Sequence, residues 1–382
     1  MLQRLYRRVE HRIVRTIAFA RSLSENRVIS DDCNKLQIGI LIRGGIGDAM
    51  IAARWLHGVL PQIRAGGEVA VDVYYALPDN IAFIFGNLSC VRYIYHDITF
   101  DYVSRYYSLA LVINHLGFLE LKRADADDLS AHTVLSRMLA EWFEGIREFK
   151  RFTNQDYHPN LGAGFAHFVQ ANSFTRLDIL RAQTGLPAPI DPFPFHFSED
   201  HKLPEHPVLE GPFVTVHDGW DWQLMLETRR PTKSYPREKW ALLVKAIGVR
   251  FPKLGIVQIG GKTGDDIPGV HLNLRNAISL PTAARVLQKA ALHIDTDSGL
   301  VHLAASLGTR AVVLFGPTDI NYYGYPHNAN LHARGCNNCW LSSGTWITTC
   351  LLGDVVPRCM SSIAPERVFE AIEGALNSQG SG

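Results

Sequence analysis

Cysteine is scarce, with six in 382 residues, so no disulfide framework holds this chain together, and a chain of this length needs none to bury a core. Long hydrophobic runs are missing as well. A membrane span takes roughly 18 or more consecutive apolar residues, whereas the longest apolar stretches, such as Tyr107–Ile113, have only strand length. Neither sign of charge dominates. The 38 basic and 37 acidic side chains leave a net charge of +1, which excludes the basic excess of a dedicated nucleic-acid binder. Nor is a secretory signal visible, because the early apolar stretch Thr16–Leu23 is interrupted by Arg21 and has no cleavage-like site. A reducing, cytoplasmic setting is expected.

What is present is an ordinary globular composition, 47% apolar and 20% charged, in a chain long enough for two domains. The first thirty residues stand apart, with seven arginines against two glutamates. Leu5, Val9, Ile13 and Ile17 recur every fourth position beside Arg4, Arg8, Arg12 and Arg15. Residues 1–34 are predicted to form a basic amphipathic helix, suited either to anionic lipid headgroups or to a protein surface.

From Lys35 strands and helices alternate. Strands are expected at Leu36–Ile42, Val69–Tyr75, Val91–Tyr95 and Leu109–Asn114, and again at Phe213–His217, Gly255–Ile259, Ala291–Asp295 and Ala311–Phe315. Helical spacing fills the intervals, notably Asp48–Leu60, Arg237–Val249, Leu280–Gln288, Gly299–Leu307 and Pro365–Leu376. Such alternation predicts parallel sheets covered on both faces. Seven of the 19 prolines fall between Pro187 and Pro212, which marks a linker. The expected organisation is an N-terminal Rossmann-like domain over 35–186, a linker over 187–212, a C-terminal Rossmann-like domain over 213–362, and a last helix over 363–378. A ligand cleft is expected between the two domains.

Two strand-to-helix turns carry chemistry. Arg43-Gly44-Gly45-Ile46-Gly47-Asp48 is glycine-rich, so backbone can approach a ligand at a helix start that favours negative charge. Met50 stands where a dinucleotide-binding turn has its third glycine or alanine, which disfavours a dehydrogenase. Asp48 reads equally as a functional carboxylate or a helix cap. The second turn is Asp295-Thr296-Asp297-Ser298-Gly299, where Ser298 and Gly299 offer backbone N–H groups to phosphate and Asp297 suits sugar hydroxyls, unless it merely caps the helix. His302, one turn further on, reads as a packed core histidine. The loop His217–Trp222 and Gln258 follow neighbouring strands at positions where open α/β sheets bind ligands.

Gly45-Ile46-Gly47-Asp48, then Lys233-Ser234-Tyr235-Pro236 with Trp240, Asp297-Ser298-Gly299-Leu300-Val301-His302-Leu303-Ala304 and Leu314-Phe315-Gly316-Pro317-Thr318 together resemble the signature of the family 9 (ADP-heptose) heptosyltransferases. The resemblance covers residues 36–376, nearly the whole chain. It implies a GT-B fold and metal-independent, inverting transfer from a nucleotide sugar, ADP-heptose being favoured, to a lipopolysaccharide, capsule or other glycan or lipid-linked acceptor. It also implies that Asp48 is the general base. Lys233 would meet phosphate and Asp297 the sugar, with Ser298, Gly299, Gly45, Gly47, Arg43, Thr232 and Gln258 completing donor binding. The basic N-terminal segment departs from the family pattern, and contact with the inner face of the inner membrane is one reading of it.

Cys336-x2-Cys339-x10-Cys350-x8-Cys359 opens like a tetrahedral metal site, so structural zinc or iron is one expectation there and reduced, unliganded thiols the other. No cofactor is expected in catalysis. The rivals are a GT-B sugar-nucleotide epimerase or hydrolase, an NAD-dependent dehydrogenase, and a catalytically silent carbohydrate-binding protein. The sequence leaves the oligomeric state open.

Overall fold

The computed structural model describes Ala20 and residues 35–153, 162–186, 193–219 and 231–378. The predicted basic helix (apart from Ala20), the start of the proline-rich linker and Trp220–Trp222 lie outside the described residues. The described residues fall into two compact units: one within Met1–Arg151, Leu177–Pro189 and Pro194–His196, the other within Phe152–Arg176, Ile190–Phe193 and Phe197–Gly382. No helix among the described residues is long and apolar enough to cross a membrane.

The first unit is built on a five-stranded sheet of β1 (Leu36–Ile42), β2 (Val69–Tyr75), β3 (Val91–His96), β4 (Leu109–Ile113) and β5 (Leu119–Ala124), in the order β3-β2-β1-β4-β5. All neighbours are parallel except β4 and β5. β1 reads LQIGILI and is buried over all but its first residue, the continuous apolar run of a strand covered on both faces. Gly39 within it lies under the Tyr107 ring, where a Cβ would come 2.6 Å from the ring carbons. Asp72, fully buried in β2, is paired with Arg92 at 2.6 Å and accepts the Tyr107 hydroxyl at 2.8 Å. Those partners make a charged residue tolerable in a buried strand.

The second unit has a six-stranded, all-parallel sheet of β6 (Phe213–Val216), β7 (Gly255–Gln258), β8 (Leu272–Asn273), β9 (Leu292–Thr296), β10 (Ala311–Phe315) and β11 (Ala329–His332), in the order β11-β10-β9-β6-β7-β8. Trp240 and Tyr235, both fully buried, pack edge to face at 5.5 Å in its core. The helix Gly162–Ala171, which precedes the linker, belongs to this unit. Its Phe165 packs edge-on against Tyr322 and Trp340 at 5.8 and 5.9 Å.

In both sheets the chain builds outward on one side of its first strand, then crosses to the other. β1 separates β2 from β4, and β6 separates β7 from β9. The strand order therefore reverses beside β1 and again beside β6. The crevice outside the carboxyl ends of such strands is where open α/β sheets bind ligands.

Candidate active site

Both turns singled out in the sequence lie at these reversal points. In the first unit β1 ends at Ile42, and the helix Ile46–Arg64 begins three residues after Arg43. Arg43, half-buried, ties the turn to β4 through its N–H to the Ile113 carbonyl at 2.9 Å. Gly44 has φ +109°, and a Cβ there would lie 2.2 Å from Asp48 Oδ2, so glycine is required on both counts. Gly45 is the cap residue. Its N–H donates to Asp48 Oδ2 at 2.6 Å while the Asp48 N–H donates to the Gly45 carbonyl at 3.1 Å. Gly47 is buried in the first turn and Asp48 is half-buried. Asp48 is thus not the N-cap residue, which is Gly45, but closes the cap from the third helical position, and this fixes its carboxylate at the helix start.

In the second unit β9 runs into the helix Gly299–Leu307 through Asp297 and Ser298. Lys233 Nζ donates to the Asp297 carbonyl at 2.5 Å, bringing together two residues 64 positions apart. Ser298 Oγ caps the helix by accepting the Leu300 N–H at 3.1 Å. Burial pushes the Asp297 carboxyl up from its ordinary pKa, and the charges of Lys233 and Arg176 oppose the shift without cancelling it. Arg176 is buried and stacks over the Tyr323 ring at 5.5 Å.

Behind this turn is a buried polar cluster. The Asp295 carboxylate, 0% exposed, meets His217 Nδ1 at 3.0 Å, His293 Nε2 at 3.1 Å, the Thr296 N–H at 2.7 Å and Ser298 Oγ at 2.5 Å. Burial alone would raise its pKa, but the charge and hydrogen bonds of His217 and His293 outweigh that and hold it well below the usual carboxylate range. Sequence reasoning passed over Asp295, His293 and Arg176. The signal for the first two was there: an acid and a histidine two apart on one face of a buried parallel strand require partners.

Two expected donor residues are engaged with neighbouring loops. Gln258, 0% exposed, uses both ends of its amide on the following loop, donating to the Asp265 carbonyl and accepting the Ile267 N–H, each at 2.8 Å. Thr232 Oγ1 donates to the Trp346 carbonyl at 2.8 Å, tying the Lys233 loop to the cysteine-rich segment. Both act as struts. His302 donates to or accepts from the Tyr325 hydroxyl at 2.7 Å and is buried, a packed core histidine.

Burial, with the charge of the neighbouring Cys336, pushes the Cys359 thiol up to about 12. Burial likewise raises Cys339. Among the described residues no group of three or more His, Cys, Asp or Glu side chains is arranged to hold a metal ion. The structural zinc or iron expected at Cys336, Cys339, Cys350 and Cys359 therefore finds no support in this geometry.

Residues 179–341 match glycosyltransferase family 9 (heptosyltransferase). Over that stretch the chain is similar to the family 9 heptosyltransferases. Lipopolysaccharide heptosyltransferase 1 of Pseudomonas aeruginosa is 26% identical to it over 180 residues, 44% of this chain and 48% of the relative. The chain thus spans about half the length of that curated relative. E. coli ADP-heptose lps heptosyltransferase II aligns over 90% of this chain and 100% of its own, with a TM-score of 0.50 and 16% identity. The iron-containing dodecameric glycosyltransferase TibC of enterotoxigenic E. coli H10407 aligns over 91% of this chain and 77% of its own, with a TM-score of 0.56 and 12% identity. The fold of this chain is GT-B, two Rossmann-like α/β domains in succession.

Proposed function

We propose that the protein is an inverting glycosyltransferase moving a heptose-like sugar from a nucleoside diphosphate, ADP-heptose in the first instance, to a hydroxyl of a bacterial surface glycan or its lipid-linked precursor. The observation that carries this reading is the turn after β9, where a lysine from a distant loop anchors an acidic residue at the start of a helix. The names of the relatives, one of them an ADP-heptose enzyme, support the choice of donor.

In this reading Asp48 takes the proton from the acceptor hydroxyl as that oxygen attacks the anomeric carbon, which suits a carboxylate fixed at a helix start. The bond to the leaving diphosphate breaks, and Lys233 with the Ser298 and Gly299 N–H groups meets the charge that develops. Asp297 orients the sugar by accepting from its hydroxyls. Arg43, Gly45 and Gly47 shape the first turn, whereas Thr232 and Gln258 act by holding loops. The reaction as written draws on no cofactor. A lipid-linked acceptor would bring the protein to the inner face of the membrane.

Asp48→Asn tests the base. It should lower sugar transfer from ADP-heptose by about 10²–10⁴-fold while ADP affinity stays near that of the parent. Transfer at the parental rate by Asp48→Asn would remove Asp48 from the chemistry.

A further inference from the structure

The cluster behind the donor turn is built in a way that stability alone does not require. A buried carboxylate is costly, and an apolar side chain of similar size often serves packing as well or better. What the carboxylate adds is direction. Ionised, it only accepts hydrogen bonds, so each partner must point a hydrogen inward. Two hydrogen-bonding groups compete for His217 Nδ1, the Asp295 carboxylate at 3.0 Å and the Gly219 N–H at 3.2 Å; the nearer, charged acceptor draws Nδ1–H, while His293 presents Nε2–H and leaves its Nδ1 to accept from Thr215 Oγ1 at 2.9 Å. Ser298 turns its O–H toward Asp295 at 2.5 Å, which aims its lone pairs at the Leu300 N–H, 3.1 Å away. The Thr296 N–H is drawn in at 2.7 Å.

The anchors come from separate strands. His217 follows β6, while His293 and Asp295 lie within β9. Backbone packs tightly around them. Gly219 has φ +75°, and a Cβ there would lie 1.7 Å from Thr296 Oγ1, while a Cβ at Gly260, φ +147°, would lie 3.0 Å from His217 Cδ2. The turns after β6, β7 and β9 thus interlock around His217 and Thr296, at the point where the strand order reverses.

We propose that Asp295 is the positioning residue of the donor turn, with His217 and His293 as its anchors: its carboxylate fixes the Ser298 hydroxyl and the start of the helix Gly299–Leu307 where a nucleoside diphosphate binds. Asp295 touches no ligand in this role and acts through Ser298. The inference rests on the reading of this turn as the donor site, and it adds residues that the motif itself does not contain.

The test compares His217→Ala, which removes the Nδ1–H donor, with His217→Asn, whose amide N–H can occupy the place of Nδ1–H. ADP affinity is measured by titration calorimetry, and hydrogen exchange of the amides of residues 296–300 is followed in the ligand-free proteins. His217→Ala should weaken ADP binding about tenfold and His217→Asn should recover it to within about threefold, the range expected for one hydrogen bond to a buried charge. Exchange at 296–300 should quicken in His217→Ala and return in His217→Asn. A purely space-filling role would show no such rescue. Parental affinity and exchange in His217→Ala would overturn the proposal, as would equal losses in both variants. If the parent binds no nucleoside diphosphate, the donor reading falls and the exchange comparison alone decides whether Asp295 anchors the turn. Should His217→Ala not accumulate in folded form, isosteric Asp295→Asn gives the same measurements, with parental values contradicting the proposal.

Discussion

Asp297 shows how a single residue trades stability for function. Burial raises its carboxyl pKa, and two nearby cations do not restore it. A carboxyl with a raised pKa contributes stability that is present below its ordinary value of about 4 and lost as pH climbs through the raised one. At neutral pH the ligand-free protein therefore carries a penalty that Asp297→Asn removes. We predict that Asp297→Asn melts higher than the parent at neutral pH and that the gap closes in acid. The same variant should bind ADP-heptose more weakly than the parent while binding ADP almost equally, because only the sugar contact is lost. Thermal melts across pH, with and without each ligand, check both halves. A variant less stable than its parent at neutral pH would show that the buried charge is fully compensated.

At the scale of elements, the central strands were legible because β1, β2, β4, β6 and β10 are near-continuous apolar runs that only a doubly covered sheet can use. The helix Gly299–Leu307 was read with its true bounds, since Ser298 caps it and Gly308, at φ +81°, ends it. What escaped were β5, β8 and β11. They are short and half-exposed, and β8 has only two residues; edge strands of this kind leave no hydrophobic pattern to read. The candidate site divides the same way. Local motifs pointed to Asp48, Lys233 and Asp297, whereas Arg176 and the His217–Asp295–His293 cluster arise from residues far apart in sequence, and the amide of Gln258 gives no hint that its own loop consumes it. The turn after β1 yields a prediction at this scale. Gly44→Ala combines a left-handed backbone with a Cβ 2.2 Å from Asp48 Oδ2, so it displaces the carboxylate. Transfer should fall by at least about tenfold while nucleoside diphosphate affinity, which the proposed reading assigns to the turn after β9, is kept. Parallel loss of both would place the glycine in global folding.

For the whole molecule, the strand orders β3-β2-β1-β4-β5 and β11-β10-β9-β6-β7-β8 give each half its own reversal point and its own turn, one bearing a carboxylate and the other a lysine-anchored acid. That pairing, with the family match over residues 179–341, is what favours the proposed sugar transfer over a dehydrogenase with a single nucleotide site. The arginine-rich first 34 residues add a further expectation. The full chain should sediment with vesicles containing anionic lipid and be released by salt, and removal of residues 1–34 should abolish the association. Equal sedimentation of both forms would assign membrane contact elsewhere.

The most direct measurement is titration calorimetry of ADP into the parent protein and Lys233→Ala, with GDP, UDP, CDP and NAD as comparisons. We predict saturable binding of ADP by the parent, at least about tenfold weaker binding by Lys233→Ala, and none of NAD. Binding of NAD in place of the nucleoside diphosphates, or ADP affinity indifferent to the loss of Lys233, would contradict the assignment of the turn after β9 as the donor site.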